Sequence, residues 1–271
     1  MRWQGTLCKM TARPESPVAY TLTDAFQGGP PLELNPLLGR RLVLEHEGRI
    51  HCLHCGAATA KAYGEGSCYP CFVRLPQNDI CIVKPELCHY HDAGNPCRDP
   101  AWGERHCFQP HVLYLAVSSG LKVGITRQSQ IPTRWMDQGA SLALPLLRLP
   151  DRRAVGEVES FLAAHLPDKT HWQKMLRNET PEVDLGAEAE RVLALLGGRF
   201  AVEVLPGREP WRFTYPALAW PTKVSSFNLE KTRRVEGVLQ AIKGQYLLFD
   251  SGVLNLRKHS GWDLALRVVE A

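Results

Sequence analysis

Short runs of apolar residues, several of them alternating with polar ones, lie near both ends of the chain and predict β-strands. Residues 17–22 and 40–50 predict strands in the N-terminal part. Four further strands are predicted at residues 235–242, 245–250, 253–258 and 262–269, with glycine-containing turns between the first three. Because consecutive short strands pair most simply as antiparallel neighbours, this last region predicts a small antiparallel sheet or partial barrel.

The middle of the chain predicts an order of strand, strand, helix, strand, helix. Residues 111–117 and 121–126 are apolar runs joined by a tight Ser-Ser-Gly turn, so they predict a β-hairpin. Pro132 at a first helical position and Gly139 just past the end bracket a short helix.

Further elements complete this central region. Residues 143–149 predict a strand, which Pro145 is expected to confine to a sheet edge or to shorten, because proline cannot donate a ladder hydrogen bond. Apolar residues at helical spacing predict helices at residues 152–166 and 185–196. A strand is predicted after them at residues 200–205.

Residues 51–110 differ from both flanks, because they are rich in cysteine and histidine and poor in long apolar periods. A segment with so little core needs another source of folding free energy, and structural metal would supply it. We therefore predict an α+β fold with an N-terminal β segment (1–50), a zinc-binding Cys/His-rich block (51–110), an α/β core (111–205) and a C-terminal β-sheet or partial barrel (206–271).

The composition is that of a globular protein, since 44% of the 271 residues are hydrophobic and 22% are charged. The formal net charge of +4 is compatible with a nucleic-acid partner without requiring one. No apolar run approaches the roughly 18 residues that span a bilayer, and the first residues lack the apolar segment of a secretory signal. We therefore expect a soluble, cytoplasmic protein without membrane contact.

Eight of the nine cysteines lie between positions 52 and 107, and in a reducing cytosol this density indicates metal binding rather than disulfides. The first four, Cys52, Cys55, Cys68 and Cys71, form two C-x-x-C pairs separated by twelve residues. Two such turns complete a tetrahedral shell of four thiolates, so we predict a structural zinc ion here.

The other four cysteines of this block are Cys81, Cys88, Cys97 and Cys107, which are irregularly spaced and interleaved with histidines. Four is the number that another closed site requires, so we predict a second structural zinc ion, with a histidine in place of one cysteine as an open alternative. A partly buried Cys/His-rich loop without metal is the other alternative. Neither group predicts a catalytic zinc, which usually keeps an open coordination position.

Four positions in the central region resemble the GIY-YIG nuclease superfamily, whose core has the element order predicted here. Tyr114 matches the tyrosine of the first motif. Gly124 matches the glycine of the second, where the absence of a side chain would let a phosphate approach closely. Arg134 falls about two residues later than the arginine of the family, and Glu159 matches its metal-binding glutamate. The resemblance implies a GIY-YIG-like ββαβα core at residues 111–205.

The chemistry that this resemblance implies is metal-assisted hydrolysis of phosphodiester bonds. Tyr114 would act on the attacking water as a general base, helped by nearby cations. A Mg²⁺ or Mn²⁺ ion on Glu159 would stabilise the leaving oxygen, and Arg134 would offset charge on the phosphoryl group. Lys122 stands in place of the second motif's tyrosine, cannot simply take over its hydrogen bonding, and is a candidate phosphate ligand.

Each of these residues also has a purely structural interpretation. Tyr114 could be a core tyrosine on an apolar strand. Arg134 could pair with Asp137 on a helix surface, and Glu159 could belong with Glu157 to an exposed helix face. The joint order of the matching positions on matching elements favours the functional interpretation.

Basic residues outnumber acidic ones at residues 111–175 and from residue 211 onward. Four aromatic residues are interleaved with them: Trp135, Trp172, Tyr246 and Trp262. Nucleic acid, DNA or RNA, is therefore the predicted partner. Three hypotheses follow: a metal-dependent endonuclease, a non-catalytic nucleic-acid-binding module, and a zinc-organised protein-interaction scaffold.

Over nearly its full length the chain also resembles an uncharacterised bacterial zinc-binding family, known as a domain of unknown function. The resemblance rests on the cysteine block and on the segments KVGITR, RWMDQGA, DKTHWQKML and KGQYLLFDSGVLNLRKHSGW. It implies no activity. Residues 168–172 (DKTHW) lie where related nuclease-like domains carry a polar-aromatic segment.

Overall fold

The computed structural model describes residues 1–166, 171–207 and 209–269, which form an α+β fold. The strands are β1 (Arg2–Thr6), β2 (Thr11–Arg13), β3 (Ala19–Leu22), β4 (Leu32–Glu33), β5 (Arg41–Glu45), β6 (His111–Val117), β7 (Leu121–Arg127), β8 (Leu142–Leu149), β9 (Glu203–Val204), β10 (Trp211–Arg212), β11 (Arg234–Lys243), β12 (Tyr246–Phe249), β13 (Gly252–Asn255) and β14 (Asp263–Val269). The α-helices are α1 (Tyr69–Arg74), α2 (Pro100–His106), α3 (Thr133–Asp137), α4 (Arg152–Ala163), α5 (Trp172–Leu176) and α6 (Leu185–Leu196).

One antiparallel sheet joins the two ends of the chain. Its strands lie in the order β1-β14-β5-β11-β12-β13, so the sheet is open, with β1 and β13 at its edges. Apolar residues face one another across it: Leu44 lies opposite both Val235 and Leu266, and Leu266 lies opposite Trp3. The N-terminal and C-terminal regions, which were predicted separately, therefore share one sheet. The strands β2, β3 and β4 form a small separate sheet.

The central sheet contains the predicted hairpin, and the predicted order of strand, strand, helix, strand, helix is confirmed by β6, β7, α3, β8 and α4. Its strands lie in the order β10-β8-β6-β7, with β9 also paired to β8. Every residue of β6 is buried, because both faces of this strand are covered. Tyr114 packs in a core with Trp135 of α3, whereas Leu113 and Leu115 pack on the other face with α4 and α6.

The expectation that Pro145 lies at a sheet edge is wrong. The strand β8 is interior, with β6 on one side and the short strands β9 and β10 on the other. Since β10 pairs with β8 before the proline and β9 pairs after it, neither strand requires an N–H donor from Pro145. On the β6 side the register shifts next to Tyr114, the residue opposite the proline, which is the mark of a β-bulge.

The observed bounds of α4 and α6 can be compared with those predicted from the spacing of apolar residues. The helix predicted at residues 152–166 ends at Ala163, whereas α6 has the predicted bounds. Asp184 caps the N-terminus of α6, and Gly197 ends the helix with a left-handed φ of 51°. Within the described ranges, the helices are too short or too polar to cross a membrane. The predicted polar-aromatic segment lies outside the described residues at positions 168–170.

Candidate metal centres and the hairpin pocket

The first four cysteines of the zinc-binding block converge on one point. The sulfur atoms of Cys52, Cys55, Cys68 and Cys71 all lie within 4.8 Å of one another, and those of Cys55 and Cys68 are 3.8 Å apart. A zinc ion with Zn–S bonds of about 2.3 Å holds its tetrahedral sulfur ligands about 3.8 Å apart. The residues present therefore fit the metal, and this cluster can hold a zinc ion.

Local backbone geometry directs these thiols toward each other. Cys68 is the N-cap of α1 and Cys71 lies in its first turn, where helix N–H groups face negative charge. Gly56 and Gly66 adopt the positive φ angles, 73° and 91°, that the two turns need. At Gly66 a Cβ atom would also lie 2.7 Å from Leu53, so this tight turn accepts only glycine.

The electrostatics of the cluster favour a thiolate. Burial opposes ionisation of the Cys52 thiol, yet backbone N–H groups of Cys68, Cys55 and His54 lower its pKa to about 6. Because the thiolate is the metal-binding form of cysteine, the backbone prepares this residue as a ligand. Coordination by four cysteines leaves no open position, which is the chemistry of a structural site.

The second group of cysteines lines a small cavity of about 20 Å³. Cys81, Cys88, Cys97 and Cys107 all line it, together with Asp79 and His89. A cavity of this size has room for a single water molecule or ion. Burial, followed by Asp79 and the neighbouring thiols, raises the pKa of Cys81 to about 12. The four irregularly spaced cysteines thus border one cavity, but within the described residues their sulfur atoms do not form a group within 4.8 Å of one another, as those of the first four do.

A histidine ligand is the alternative at this second group. Ligand atoms of Asp79, Cys81 and His89 lie within 4.8 Å of one another. However, Asp79 already forms an ion pair with Arg98 at 2.6 Å and lies 3.3 Å from Nε2 of His89. The other ring nitrogen of His89 donates to the Asn95 carbonyl at 2.6 Å. The ligand atoms that the structure brings close together here are therefore those of Asp79, Cys81 and His89, and a histidine in place of one cysteine stays an alternative.

A pocket of 580 Å³ lies beside the hairpin, and we call it the hairpin pocket. Tyr114 of β6, Lys122 of β7, Arg134 of α3 and Glu159 of α4 all line it. The four residues that the sequence analysis singled out for chemistry are therefore brought together by four different elements.

Gln138, the C-cap residue of α3, joins two hydrogen-bond donors of the pocket. Its Oε1 atom accepts a hydrogen bond from the Tyr114 hydroxyl at 3.0 Å and another from the Lys122 ammonium group. This role could not be predicted from the sequence, because a glutamine at a helix end has no pattern that distinguishes it from a solvated residue. The tertiary fold alone makes it the shared acceptor.

Burial sets the ionisation of the two donors. Tyr114 is 1% exposed, and burial raises its pKa to about 12 although Arg134 acts in the opposite direction. Lys122 is 8% exposed, and burial together with Arg134 lowers its pKa to about 8, against the effect of Glu159. At neutral pH Tyr114 is therefore a poor general base, contrary to the role that the resemblance implies. Lys122 is closer to the pKa range of a base.

Gly124 has a different reason to be glycine from the one expected. It lies directly opposite Tyr114 in the hairpin. A Cβ atom at position 124 would be 2.6 Å from the Tyr114 hydroxyl oxygen and 2.7 Å from the ring carbon that bears it. The glycine therefore makes room for the phenol ring, which crosses the backbone where we expected a phosphate to approach.

Carboxylates in the pocket come from two parts of the chain. Glu159 and Glu86 both line it, whereas the neighbouring Glu157 is exposed and forms an ion pair with Arg153 at 3.0 Å. Glu86 was missed by the sequence analysis, because it belongs to the zinc-binding block and lies far from the hairpin in sequence. Among these glutamates, the structure favours Glu159 over Glu157 as a pocket residue.

The zinc-binding block supplies one wall of the hairpin pocket. Its short 3₁₀ turn Pro85–Leu87 packs on α4 at Gly156, where a Cβ atom would be 2.5 Å from Pro85 and 2.9 Å from the Glu86 backbone nitrogen. Arg152 holds the same segment by donating to the Ile82 carbonyl at 2.6 Å. The position of Glu86 therefore depends on contacts between two regions that the sequence presents separately.

The aromatic residues expected to stack on bases fall into two classes. Trp135 and Trp262 are buried in the core and cannot meet a ligand. Trp172 and Tyr246 stack on each other, with ring centroids 6.0 Å apart and planes 7° from parallel. Only this second pair lies near the surface, so the aromatic part of the nucleic-acid prediction is weaker than the sequence suggested.

Comparison with known proteins gives one family. Residues 39–264 match the model of a family described as "Protein of unknown function (DUF2797)". No curated protein and no solved structure matches the chain. The matched range includes both cysteine groups and every residue of the hairpin pocket discussed above. The description names no activity, so the GIY-YIG resemblance stays a prediction.

Proposed function

The chain belongs to the DUF2797 family, and we propose that it binds nucleic acid and hydrolyses phosphodiester bonds in the hairpin pocket. One observation carries this proposal: a hydroxyl, an amine, a guanidinium and a carboxylate from four elements line the same cavity. These are the groups that phosphodiester hydrolysis needs, since it requires a proton acceptor and stabilisation of negative charge. The formal net charge of +4 supports an anionic ligand.

Each polar residue of the pocket has a part in the reaction. The neutral Lys122 amine accepts a proton from the attacking water, because a pKa of about 8 leaves a usable unprotonated fraction at neutral pH. As the water oxygen bonds to phosphorus, the bond to the leaving oxygen breaks. The Arg134 guanidinium offsets charge on the phosphoryl oxygens. Tyr114 stays protonated and, through their common acceptor Gln138, helps to hold the Lys122 amine in position.

Two carboxylates that line the pocket would hold a divalent cation. Glu86 and Glu159 supply the oxygen ligands that Mg²⁺ and Mn²⁺ prefer. When bound, such a cation supplies stabilisation of the charge that develops on the leaving oxygen. Glu157 does not line the pocket and already has Arg153 as its partner, which makes it a suitable control.

The two cysteine groups complete the proposal as structural zinc sites, one ion in each. Because thiols persist in a reducing compartment, this chemistry also supports action in the cytoplasm. Metal analysis of protein purified without added zinc should give about two zinc ions per chain, since each closed site takes four ligands. A zinc-free, folded protein would contradict both sites.

The nuclease proposal is tested with labelled single-stranded and hairpin oligonucleotides of DNA and RNA, incubated with Mg²⁺ or Mn²⁺. We expect cleavage by the wild-type protein and a loss of at least about a hundredfold in Glu159→Gln, because the cation loses a charged ligand. The matched control Glu157→Gln should cleave normally. Both variants should keep the circular dichroism spectrum and the oligonucleotide affinity of the wild type. Undiminished cleavage by Glu159→Gln would show that Glu159 is not a ligand of the cation.

A non-catalytic nucleic-acid-binding module is the second candidate. It is favoured by the Tyr114 hydroxyl, which is buried, has a raised pKa and is already hydrogen-bonded. This candidate keeps the cationic pocket and lacks the reaction. Oligonucleotide binding that weakens steeply with salt, without cleavage under any of the tested conditions, is the outcome that selects it.

A further inference from the structure

A second cavity adjoins the hairpin pocket and contains an excess of arginine. Its volume is 470 Å³, and it shares Ile125, Arg134 and Arg152 with the pocket. Arg127, at the end of β7, lines the second cavity but not the hairpin pocket. We call this space the arginine cavity. Because two side chains with guanidinium groups belong to both spaces, one extended ligand can occupy them together.

Most of the other charges in the arginine cavity are already neutralised. Lys9 forms an ion pair with Asp137 at 2.6 Å, and Arg257 pairs with Glu65. Asp137 and Glu65 are the acidic residues among the side chains that line the cavity. Within residues 1–166, 171–207 and 209–269, by contrast, no carboxylate forms an ion pair with the three remaining arginines, which are Arg127, Arg134 and Arg152. The three arginines therefore place positive charge together that no carboxylate ion pair neutralises, although the side chains of Cys107 and Cys81 act on the charge of Arg152.

Unused hydrogen-bonding capacity lies beside that charge. Nη2 of Arg152 donates to the Ile82 carbonyl, but its buried Nε–H has no partner among the described residues. A buried donor without an acceptor costs free energy, and an anionic oxygen would satisfy it. His111 adds no positive charge, because burial lowers its pKa to about 4. The cavity therefore offers arginine N–H donors to which an oxyanion can bind.

We propose that the arginine cavity binds a phosphate group, namely the phosphate next to the scissile one on the same nucleic-acid strand. The identification of the strand rests on the proposed function, whereas the preference for phosphate rests on the three arginines alone. Guanidinium groups recognise phosphate through paired N–H donors, which favours this anion over a small halide. A strand held at two phosphates would be positioned for reaction at the first.

Arg127 provides the test, because it belongs to this cavity and not to the hairpin pocket. A fluorescein-labelled single-stranded oligonucleotide is titrated by anisotropy at several salt concentrations, without added divalent cation so that cleavage is avoided. For Arg127→Ala we expect Kd to rise about tenfold, and the slope of log Kd against log salt to fall by about one phosphate contact. The control Arg153→Ala removes an exposed, ion-paired arginine and should leave both quantities unchanged. Thermal unfolding checks that both variants are folded.

A second probe separates the sources of the phosphate. Inorganic phosphate and adenosine 5′-monophosphate are titrated into the same variants by calorimetry. Binding of these small anions that depends on Arg127, without oligonucleotide binding, supports the phosphate site and overturns the proposed nucleic-acid function. Equal affinities of Arg127→Ala and Arg153→Ala for every probe overturn the phosphate site, even where the wild-type protein cleaves nucleic acid. A loss of oligonucleotide affinity that occurs in Arg127→Ala and not in Arg153→Ala supports both the phosphate site and the proposed nucleic-acid function.

Discussion

At the scale of single residues, Lys122 is better suited than Tyr114 to act as the general base of the hairpin pocket. Both are buried beside the same acceptor, Gln138. Burial disfavours the charged form of each group, so it raises the pKa of the phenol and lowers that of the amine. At neutral pH the lysine is therefore nearer to losing its proton than the tyrosine is. This order makes the amine the more suitable base.

The pH dependence of cleavage tests the role of Lys122. The amine is protonated below its folded pKa of about 8, so kcat/KM should rise about tenfold per pH unit below that value and level off above it. Lys122→Arg should lose most activity and this rising limb, because arginine stays protonated. Profiles are measured from pH 6 to 9.5, with Arg153→Ala as the control. A rising limb that persists in Lys122→Arg would show that Lys122 is not the base.

Gly124 allows a stability prediction at the same scale. In Gly124→Ala the new methyl group would lie 2.6 Å from the buried Tyr114 hydroxyl oxygen, so the ring must move. We expect a loss of about 1–3 kcal/mol in the free energy of unfolding, measured by urea denaturation. Gly120→Ala is the matched control in the same hairpin, because no atom lies within 4 Å of its added Cβ. Equal stabilities of the two variants would show that the ring is not constrained.

At the scale of elements, the segment between Cys81 and Cys88 links a proposed zinc site to the pocket. Both cysteines line the second metal cavity, and the residues between them include Glu86. The same segment packs on α4 and accepts a hydrogen bond from Arg152. A metal ion held at the two ends of this segment would therefore hold a wall of the hairpin pocket.

Cys88→Ser should affect both metals. We expect the zinc content to fall from about two ions to about one per chain, because a closed site loses one of four ligands. The Mg²⁺ or Mn²⁺ concentration for half-maximal cleavage should also rise, since Glu86 loses its fixed position. Cys8→Ser lies outside both groups and serves as the control for zinc content and cleavage. An unchanged zinc content in Cys88→Ser would exclude the second site.

At the scale of the whole molecule, the two ends of the chain depend on each other. Strand β14 lies between β1 and β5, and β5 in turn connects it to β11. Without the N-terminal strands, β14 would have no partner in the sheet. The apolar residues that face one another across it, such as Trp3 and Leu266, would also be exposed to water.

A fragment of residues 206–271 should therefore be unfolded when expressed alone. We expect no cooperative thermal transition by circular dichroism, because a sheet that loses interior and edge strands loses both hydrogen bonds and core. Adding a peptide of residues 1–50 should restore β structure if the missing strands are the cause. A cooperative transition of the isolated fragment would show that the C-terminal strands form an independent domain.

Spacing along the chain was sufficient for several features that depend on near neighbours. The two C-x-x-C pairs, the bounds of α6 and the hairpin at residues 111–127 follow from local turn geometry and from apolar periods. Such features are decided within a few residues, so the sequence contains their physical cause. The irregular second cysteine group was predicted only by count, and that its four members border one cavity follows only from the fold.

Contacts between distant segments were decided by the tertiary structure. Pro145 occupies an interior strand because two short strands from elsewhere leave its position unpaired. Glu86 reaches the hairpin pocket because its turn packs on Gly156, and Gly124 is glycine because Tyr114 crosses it. In each case the cause is the close packing of a residue remote in sequence, whose identity no local period reveals. The sequence by itself determined the order of the central strands and helices and the two C-x-x-C turns, and packing decided which distant residues would meet.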